Sequence, residues 1–267
     1  MRWLDGVPLE GDVAWDRGLE FGDGLFETIA LVEGAPRLLE RHLARLAAGC
    51  ERLKLAPPPA ATLRAELLAA ARTPGVGLLK LIVTRGTGGQ GYAPAPQPSR
   101  RHLLALPARS RPAAWGEEGV TARYCETRLA EQPRLAGLKH LNRLEQVLAR
   151  GEWTDPAIAE GLMLDVHGRL VCGTMSNVFT VLGDEVVTPA LTRAGVAGVM
   201  RGALIEALRA DGRAVVERDL EPAELERSRE LFLTNALIGA WPVRELGALR
   251  FPAGPVVRRA QAWVRGL

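Results

Sequence analysis

Two periods of hydrophobic and polar residues run through the chain, and they change places several times. GLFETIALVEG (24–34) alternates as a strand does and closes on a Gly turn. RLLERHLARLAAGCERLKL (37–55) sets Leu39, Leu43, Leu46, Cys50 and Leu53 at helical spacing, which predicts one buried stripe. After a proline stop, APPPAATLRAELLAAART (56–73) predicts a second helix. GVGLLKLIVTRG (75–86) and RHLLALPARS (101–110) read as strands joined by a long Gly/Pro loop, with Lys80 an ordinary strand residue. The polar, proline-containing ARSRPAAWGEEG (108–119) marks a domain boundary.

Beyond it, TARYCETRLAE (121–131) predicts a strand. LAGLKHLNRLEQVLARGEW (135–153) places Leu141, Leu144 and Leu148 at helical spacing up to Gly151. Three short strands are expected in GLMLDVHGRLVCGTMSNVFTVLGDEVVTP (161–189), with turns at VHGR and LGDE. The turn TRAGVAG leads to a helix, VMRGALIEALRAD, then a strand, RAVVERDL, a short helix, EPAELERS, and a strand, ELFLTNA. VVRRAQAWVRGL closes the chain as an amphipathic helix. The pattern therefore predicts two α+β domains, residues 1–108 and 117–267, joined by a linker at 109–116, with largely antiparallel sheets.

Composition narrows the picture. The 267 residues are 47% hydrophobic and 24% charged, a globular balance. A net charge of +3 hints at a polyanion, but 34 basic residues are interspersed with 31 acidic ones and no basic block appears. Nucleic acid is therefore not expected as a partner. Three scattered cysteines make neither a disulfide framework nor a zinc site. MRWLDGVPLEGDVAW has no apolar core of a signal peptide, and no apolar run approaches a membrane span. A soluble protein of the reducing cytoplasm is the expectation.

Only three of the 34 basic residues are lysines: Lys54, Lys80 and Lys139. Arginine serves as well on a solvated surface, but it cannot lose its proton and form an imine. Lys139 lies just before the predicted helix. The positive end of that helix, and burial, would both favour the neutral amine. In AGVAGVMR (194–201), Gly195 and Gly198 precede a helix whose first N–H groups, on Val199 and Met200, can meet an oxyanion. Arg45, off the apolar stripe of its helix, can add a charged contact to the same anion. Thr234 and Asn235, ending LFLTNA, are a third candidate contact. Taken singly, each of these has an ordinary structural explanation.

Their order does not. FGDGLFET (21–28), RHLARL (41–46), TRGTGGQGY (84–92), GLKHLNRLEQVLAR (137–150), GTMSNVF (173–179), AGVAGVMR (194–201) and TNAL (234–237) together resemble the aminodeoxychorismate lyases. These belong to the fold type IV enzymes that use pyridoxal 5′-phosphate (PLP). The resemblance implies a smaller N-terminal α/β sandwich and a larger C-terminal domain with mixed, largely antiparallel sheets. It implies Lys139 as the residue that holds PLP as a Schiff base and shuttles the proton. Arg45 and the N–H groups of Val199 and Met200 would hold the phosphate, with Asn235 at the end of the phosphate-side strand. Asn177 would lie beneath the ring, and Tyr92 would reach toward a small-molecule substrate. A homodimer is implied as well.

Cys172 departs from the pattern, because the family typically has a glutamate there, paired with the pyridine nitrogen. A neutral thiol holds that proton poorly, unless another acidic group on a neighbouring strand replaces it. The implied reaction converts 4-amino-4-deoxychorismate to 4-aminobenzoate and pyruvate, a step in folate synthesis. The alternatives are a D-amino-acid or branched-chain aminotransferase of the same fold, and a PLP-binding protein without turnover.

Overall fold

The computed structural model describes residues 2–4, 7–9, 16–108 and 110–267, with side chains from residue 16 onward. Arg109, the first residue of the expected linker, and most of the N-terminal stretch read for a signal peptide lie outside the described residues. The elements in the first half are β1 (Arg2–Leu4), β2 (Val7–Leu9), α1 (Arg17–Phe21), β3 (Gly24–Val32), β4 (Ala35–Pro36) and α2 (Leu39–Leu53). They continue with α3 (Ala60–Ala71), β5 (Leu78–Thr84), β6 (Arg100–Leu106) and α4 (Ala114–Glu117). Next come β7 (Val120–Tyr124), α5 (Leu144–Arg150), β8 (Ile158–Leu164), β9 (Leu170–Gly173), β10 (Asn177–Leu182) and β11 (Glu185–Pro189). The last are α6 (Val199–Ala210), β12 (Ala214–Arg218), a 3-10 turn at Pro222–Arg227, β13 (Glu230–Asn235), β14 (Gly239–Leu246), β15 (Leu249–Arg250) and α7 (Pro255–Arg265).

β4-β3-β5-β6 form an antiparallel sheet, with α2 packed on β3 and α3 on β5. The helical stripe predicted for α2 seats Leu43, Leu46 and Cys50 in this core with Leu25, Ile29, Leu79 and Leu81. The second sheet runs β12-β11-β10-β13-β14-β7-β8-β9, with β15 on β14. It curls until β9 packs against β10. The sheet is mixed: β12 on β11, β7 on β14 and β8 on β7 are parallel, and the other pairs are antiparallel. One face carries Leu162, Val178, Leu231 and Leu233, and the other packs Phe179 and Phe232 under α6 and α7.

Two expectations need correction, and one strand was not foreseen. The stretch 161–189 holds four strands rather than three, because Thr174–Ser176 turns inward onto the carboxyl group of Glu160. Gly239–Leu246 is a strand that alternation does not predict, since Pro242 interrupts it. The helix beyond Lys139 begins only at Leu144, and its apolar positions are not a core stripe. Leu144 is 76% exposed and Leu148 64%, and only Ala149 of α5 is buried.

Candidate active site

Lys139 sits in an extended segment, not at a helix start. Its carbonyl accepts from Phe26 N (2.9 Å), and Leu141 N donates to Gly24 O (3.0 Å), so this stretch lies along β3. Two residues earlier, Gly137 exchanges hydrogen bonds with the turn before α6, N to Gly195 O and O from Ala197 N, each 3.0 Å. The Lys139 backbone is thus clamped between the two sheets. α5 begins only five residues on, at Leu144, so Lys139 does not lie at its first turn as expected. Burial lowers the Lys139 pKa from its usual 10.5 to about 8, and the positive charges of Arg45 and then Arg143 add to this against Glu27. Nζ stands 4.3 Å from the centre of the Phe26 ring. Among the described residues it has no hydrogen-bond or ion-pair partner. This is a nucleophilic amine held without an acceptor.

On the β3 side, charges are matched. Glu27 is 2% exposed on the apolar face of β3, in phase with Leu25 and Ile29. Its Oε1 accepts from Arg45 Nε (2.8 Å), its Oε2 from Arg45 Nη2, and Oε2 also lies 2.6 Å from Nδ1 of buried His42. Burial alone would raise the Glu27 pKa, but the His42 bond and the Arg45 charge outweigh it, so the carboxylate stays ionised. Burial pushes the His42 pKa down, leaving a neutral ring that donates from Nδ1. Arg45 also reaches the turn before α6, with Nη1 to Ala197 O at 3.0 Å, which leaves one N–H on each Nη nitrogen for an anion.

That turn is built tightly. Asn177 at the start of β10 accepts from Gly198 N (3.2 Å) and donates to Val196 O (2.9 Å). A Cβ at Gly198 would stand 2.2 Å from Asn177 Oδ1, so only glycine fits. Asn177 therefore supports the turn that opens α6. The helix has no side-chain cap, which leaves the first-turn N–H groups, Val199 and Met200 among them, without intrahelical acceptors. With Arg45 beside the turn, this donor set suits a phosphate monoester. Asn235, at the end of β13, donates to Met175 O (3.0 Å), while its Oδ1 caps Leu237 N and Ile238 N. Asn235 thus shapes the 235–238 turn one strand away from Asn177, with Thr234 paired to Asn177 in register.

The opposite side of Lys139 differs. Cys172 on β9 is a buried thiol pushed up to about 12 by burial and then by Glu160, so it is neutral. Glu160, on the neighbouring strand, is the acid best placed to substitute for a missing carboxylate at that position. It is fully engaged: its oxygens accept from Thr174 N and Oγ1, Met175 N and Ser176 Oγ. Arg143 lies near Cys172, with no carboxylate paired to it among the described residues. Tyr92 is not brought to this constellation: 87% exposed, it packs on Phe21 at 5.4 Å between ring centres.

Sequence reasoning thus located Lys139, Arg45, Asn177, Val199 and Met200 around one turn, but it missed Glu27, His42, Arg143 and Glu160. A signal existed for the first two. Each is a polar residue in phase with a hydrophobic face, Glu27 on its strand and His42 on its helix.

The aminotransferase class IV family model matches residues 24–246. The chain is 35% identical over 268 residues to an aminodeoxychorismate lyase of Vibrio harveyi, covering 98% of each chain. It is 30% identical to a putative branched-chain-amino-acid aminotransferase of Methanocaldococcus jannaschii, over 87% of this chain and 81% of that one. Among solved structures, a 4-amino-4-deoxychorismate lyase from Pseudomonas aeruginosa superposes with a TM-score of 0.92 at 52% identity, covering 99% of this chain and 98% of the other.

Proposed function

Because the chain belongs to the aminotransferase class IV family, we propose that it is a PLP-dependent lyase. It cleaves 4-amino-4-deoxychorismate to 4-aminobenzoate and pyruvate. The observation that carries this reading is the unpartnered Lys139 amine beside the uncapped, Arg45-flanked start of α6. Full-length similarity to two lyases supports it. The residues fit PLP: Lys139 would hold it covalently, and Arg45 with Val199 N and Met200 N would hold its phosphate. When bound, PLP supplies an electron sink for the bond-breaking step.

The chain's own residues supply the rest. With a pKa near 8, Lys139 Nζ loses its proton readily close to neutral pH. It takes the proton from the substrate carbon that bears the amine, and the C–O bond to the enolpyruvyl group breaks as the ring becomes aromatic. The same nitrogen returns a proton, so atoms balance between one substrate and two products. Glu27 fixes Arg45 from behind and, through its charge, keeps the Lys139 pKa from falling further.

An aminotransferase of this family would need a strong electron sink for a long-lived carbanion, and a neutral Cys172 suits that less well than it suits a lyase. The low pKa of Lys139 argues against a site without turnover.

We read residues 1–108 and 117–267 as two domains joined at 109–116, since the strands β3 to β6 end at Leu106 and those of the larger sheet begin at Val120. We also infer a homodimer, supported by the exposed apolar face of Leu144, Val147 and Leu148 on α5. Three buried free cysteines suit the reducing cytoplasm, and no helix among the described residues is long and apolar enough to cross a membrane. The deciding experiment incubates PLP-loaded protein with 4-amino-4-deoxychorismate and measures both products. Loaded protein that releases neither would sink the reading.

A further inference from the structure

Besides its bonds to β3, the Lys139 segment is tied to α2. Arg52 stands in the last turn of α2 and reaches the 132–136 turn that leads into Gly137. Its Nη1 donates to Ala136 O at 2.9 Å, and its Nη2 to Arg134 O at 2.9 Å and Pro133 O at 3.2 Å. The other two carbonyls of this turn are met by its own backbone. Gln132 O accepts from Leu135 N and Ala136 N, and Leu135 O accepts from Leu138 N. Every carbonyl of the turn therefore has a donor, and one guanidinium holds three of the five.

These bonds close a ring on α2. Arg45 Nη1 donates to Ala197 O, Ala197 N donates to Gly137 O, and Gly137 follows Ala136, which Arg52 holds. Arg45 and Arg52 are seven residues apart in sequence. Two turns of helix separate them, so they leave α2 on the same side about 10 Å apart. Gly137 takes a φ of +81°, so the chain turns sharply between the grip of Arg52 and Lys139 two residues on. α2 is itself fixed on β3, where Leu43, Leu46 and Cys50 pack with Leu25, next to the Phe26 N–H that holds Lys139 O. One helix thus carries both the cation beside the phosphate donors and the anchor of the lysine segment.

We propose that Arg52 is a positioning residue that sets the spacing between Lys139 Nζ and the phosphate donors at Arg45, Val199 and Met200. The inference rests on Lys139 holding PLP. A cofactor joined to the chain at two ends, through its phosphate and through Nζ, needs those ends at a fixed separation. Without Arg52 the three carbonyls turn to water, and the 132–136 turn is free to shift against α2. The phosphate end keeps its donors, because Glu27 holds Arg45 and Asn177 holds the turn before α6. What is lost is the register of the amine against them, and a displacement of about 1 Å can cost a hundredfold in rate. Arg52 is exposed, so its removal opens no core. Its charge also suits the negative end of α2, but that effect acts on stability alone.

The test compares two ligands on the full chain freed of cofactor. PLP can join Lys139 through its aldehyde with loss of water, whereas pyridoxine 5′-phosphate has the same ring and phosphate but no aldehyde. Wild-type protein should bind PLP more tightly. Arg52→Met should weaken PLP about tenfold, comparable with one or two net hydrogen bonds, and leave pyridoxine 5′-phosphate unchanged. Arg45→Ala should weaken both. In loaded Arg52→Met, kcat should fall about a hundredfold with KM little altered. Arg52→Lys keeps the charge at the helix end but has one terminal nitrogen in place of a fork. It should show the same split in smaller measure, and it serves equally if Arg52→Met does not fold. Equal losses for the two ligands overturn the proposal, since Arg52 would then act on the phosphate or on the fold as a whole. So does a lowered melting temperature with both affinities and kcat unchanged. Wild-type protein that binds the two ligands alike would strike the Lys139 reading itself, and the proposal with it.

Discussion

Lys139 lies between two electrically opposite regions. On the β3–α2 side, the Glu27 carboxylate is bonded by both His42 Nδ1 and the Arg45 guanidinium before any ligand arrives, so the charges are matched although His42 Nε2 is buried without a partner. On the β9 side, Arg143 has no ion-pair partner among the described residues, though the charge of Glu145 acts on it, and Cys172 beside it is neutral. The matched side is scaffolding: it fixes a donor in place and gives a stiff wall. The unmatched side holds a guanidinium out of water with its Nε unpartnered, which is costly. Both act on the same amine, since Arg45 and Arg143 each lower its pKa.

Removing the amine that both sides serve should have the largest effect. Lys139→Arg keeps the charge but not the nucleophile, and lyase activity should fall by more than about 10⁴-fold, general acid–base work alone contributing ~10²–10⁴. Borohydride reduction of loaded protein should fix the cofactor on the peptide carrying residue 139. Fixation on Lys54 or Lys80 would overturn the assignment.

The matched side should break next. Glu27→Ala leaves the part-buried Arg45 guanidinium unpaired and the buried His42 Nδ1 without its acceptor, and unfolding free energy should drop by about 3 kcal/mol, the lower end of the range for breaking a buried pair. Because the folded-state pKa of Glu27 lies below its usual 4.5, its stabilisation is full above that pH and disappears as pH falls through the folded value. The acid limb of a stability–pH curve should therefore flatten in Glu27→Gln, and an unchanged limb would reject the ion-pair role. Arg45→Ala should weaken PLP binding by roughly 1.5–3 kcal/mol. It should also lower the melting temperature, because Glu27 then keeps only His42. The sequence alone predicted no such loss, because Arg45 lies off the apolar stripe.

That contrast shows where legibility ended. Strand and helix periods gave α6 and β13 to within one residue and α2, α3 and β5 to within two to four at each end; the helices and β5 each turn one face to a core, and β13 is a short apolar run buried on both faces. They failed where polar contacts override period. The Thr174–Ser176 turn exists because a buried carboxyl group calls it inward, and Glu160 carries no mark of this in its run of apolar neighbours. Leu144 and Leu148 obey helical spacing yet face away from the chain's own core, and spacing alone does not say which way such a stripe faces. Lys139 stood out by composition, and burial lowers its pKa as the sequence suggested. The helix end argued alongside burial is not there, and the charges of two arginines take its place.

The amine itself offers a smaller effect. Its pKa is depressed from 10.5 to about 8, so the unfolded chain binds more protons between those values. Apoprotein should gain stability as pH rises through that window and should carry the full cost of a buried ammonium below pH 8. Lys139→Met should remove the slope while leaving the acid limb set by Glu27. Melting temperatures of apoprotein between pH 7 and 10.5 test this, and equal slopes in both proteins would contradict the lowered pKa.

The smallest effect comes from making the unmatched side resemble the matched one. Cys172 is near enough for its charge state to act on Arg143, and it is buried among Cys125, Val171 and Met163. Cys172→Glu would place a carboxylate beside a guanidinium that has none, creating on β9 what Glu27 provides on β3. Buried ion pairs often give little net stability, so the melting temperature should move by only a few degrees in either direction. The titration of Lys139 should change more clearly. With its charge answered internally, Arg143 should depress the Lys139 pKa less, so the pH window in which apoprotein gains stability should begin higher than in wild-type protein. Cys172→Ser, neutral and of similar size, should leave the window as it was. If Cys172→Glu and Cys172→Ser give the same window, then the neutral thiol is not what leaves Arg143 without a paired carboxylate, and the electrical difference between the two sides of Lys139 has another origin.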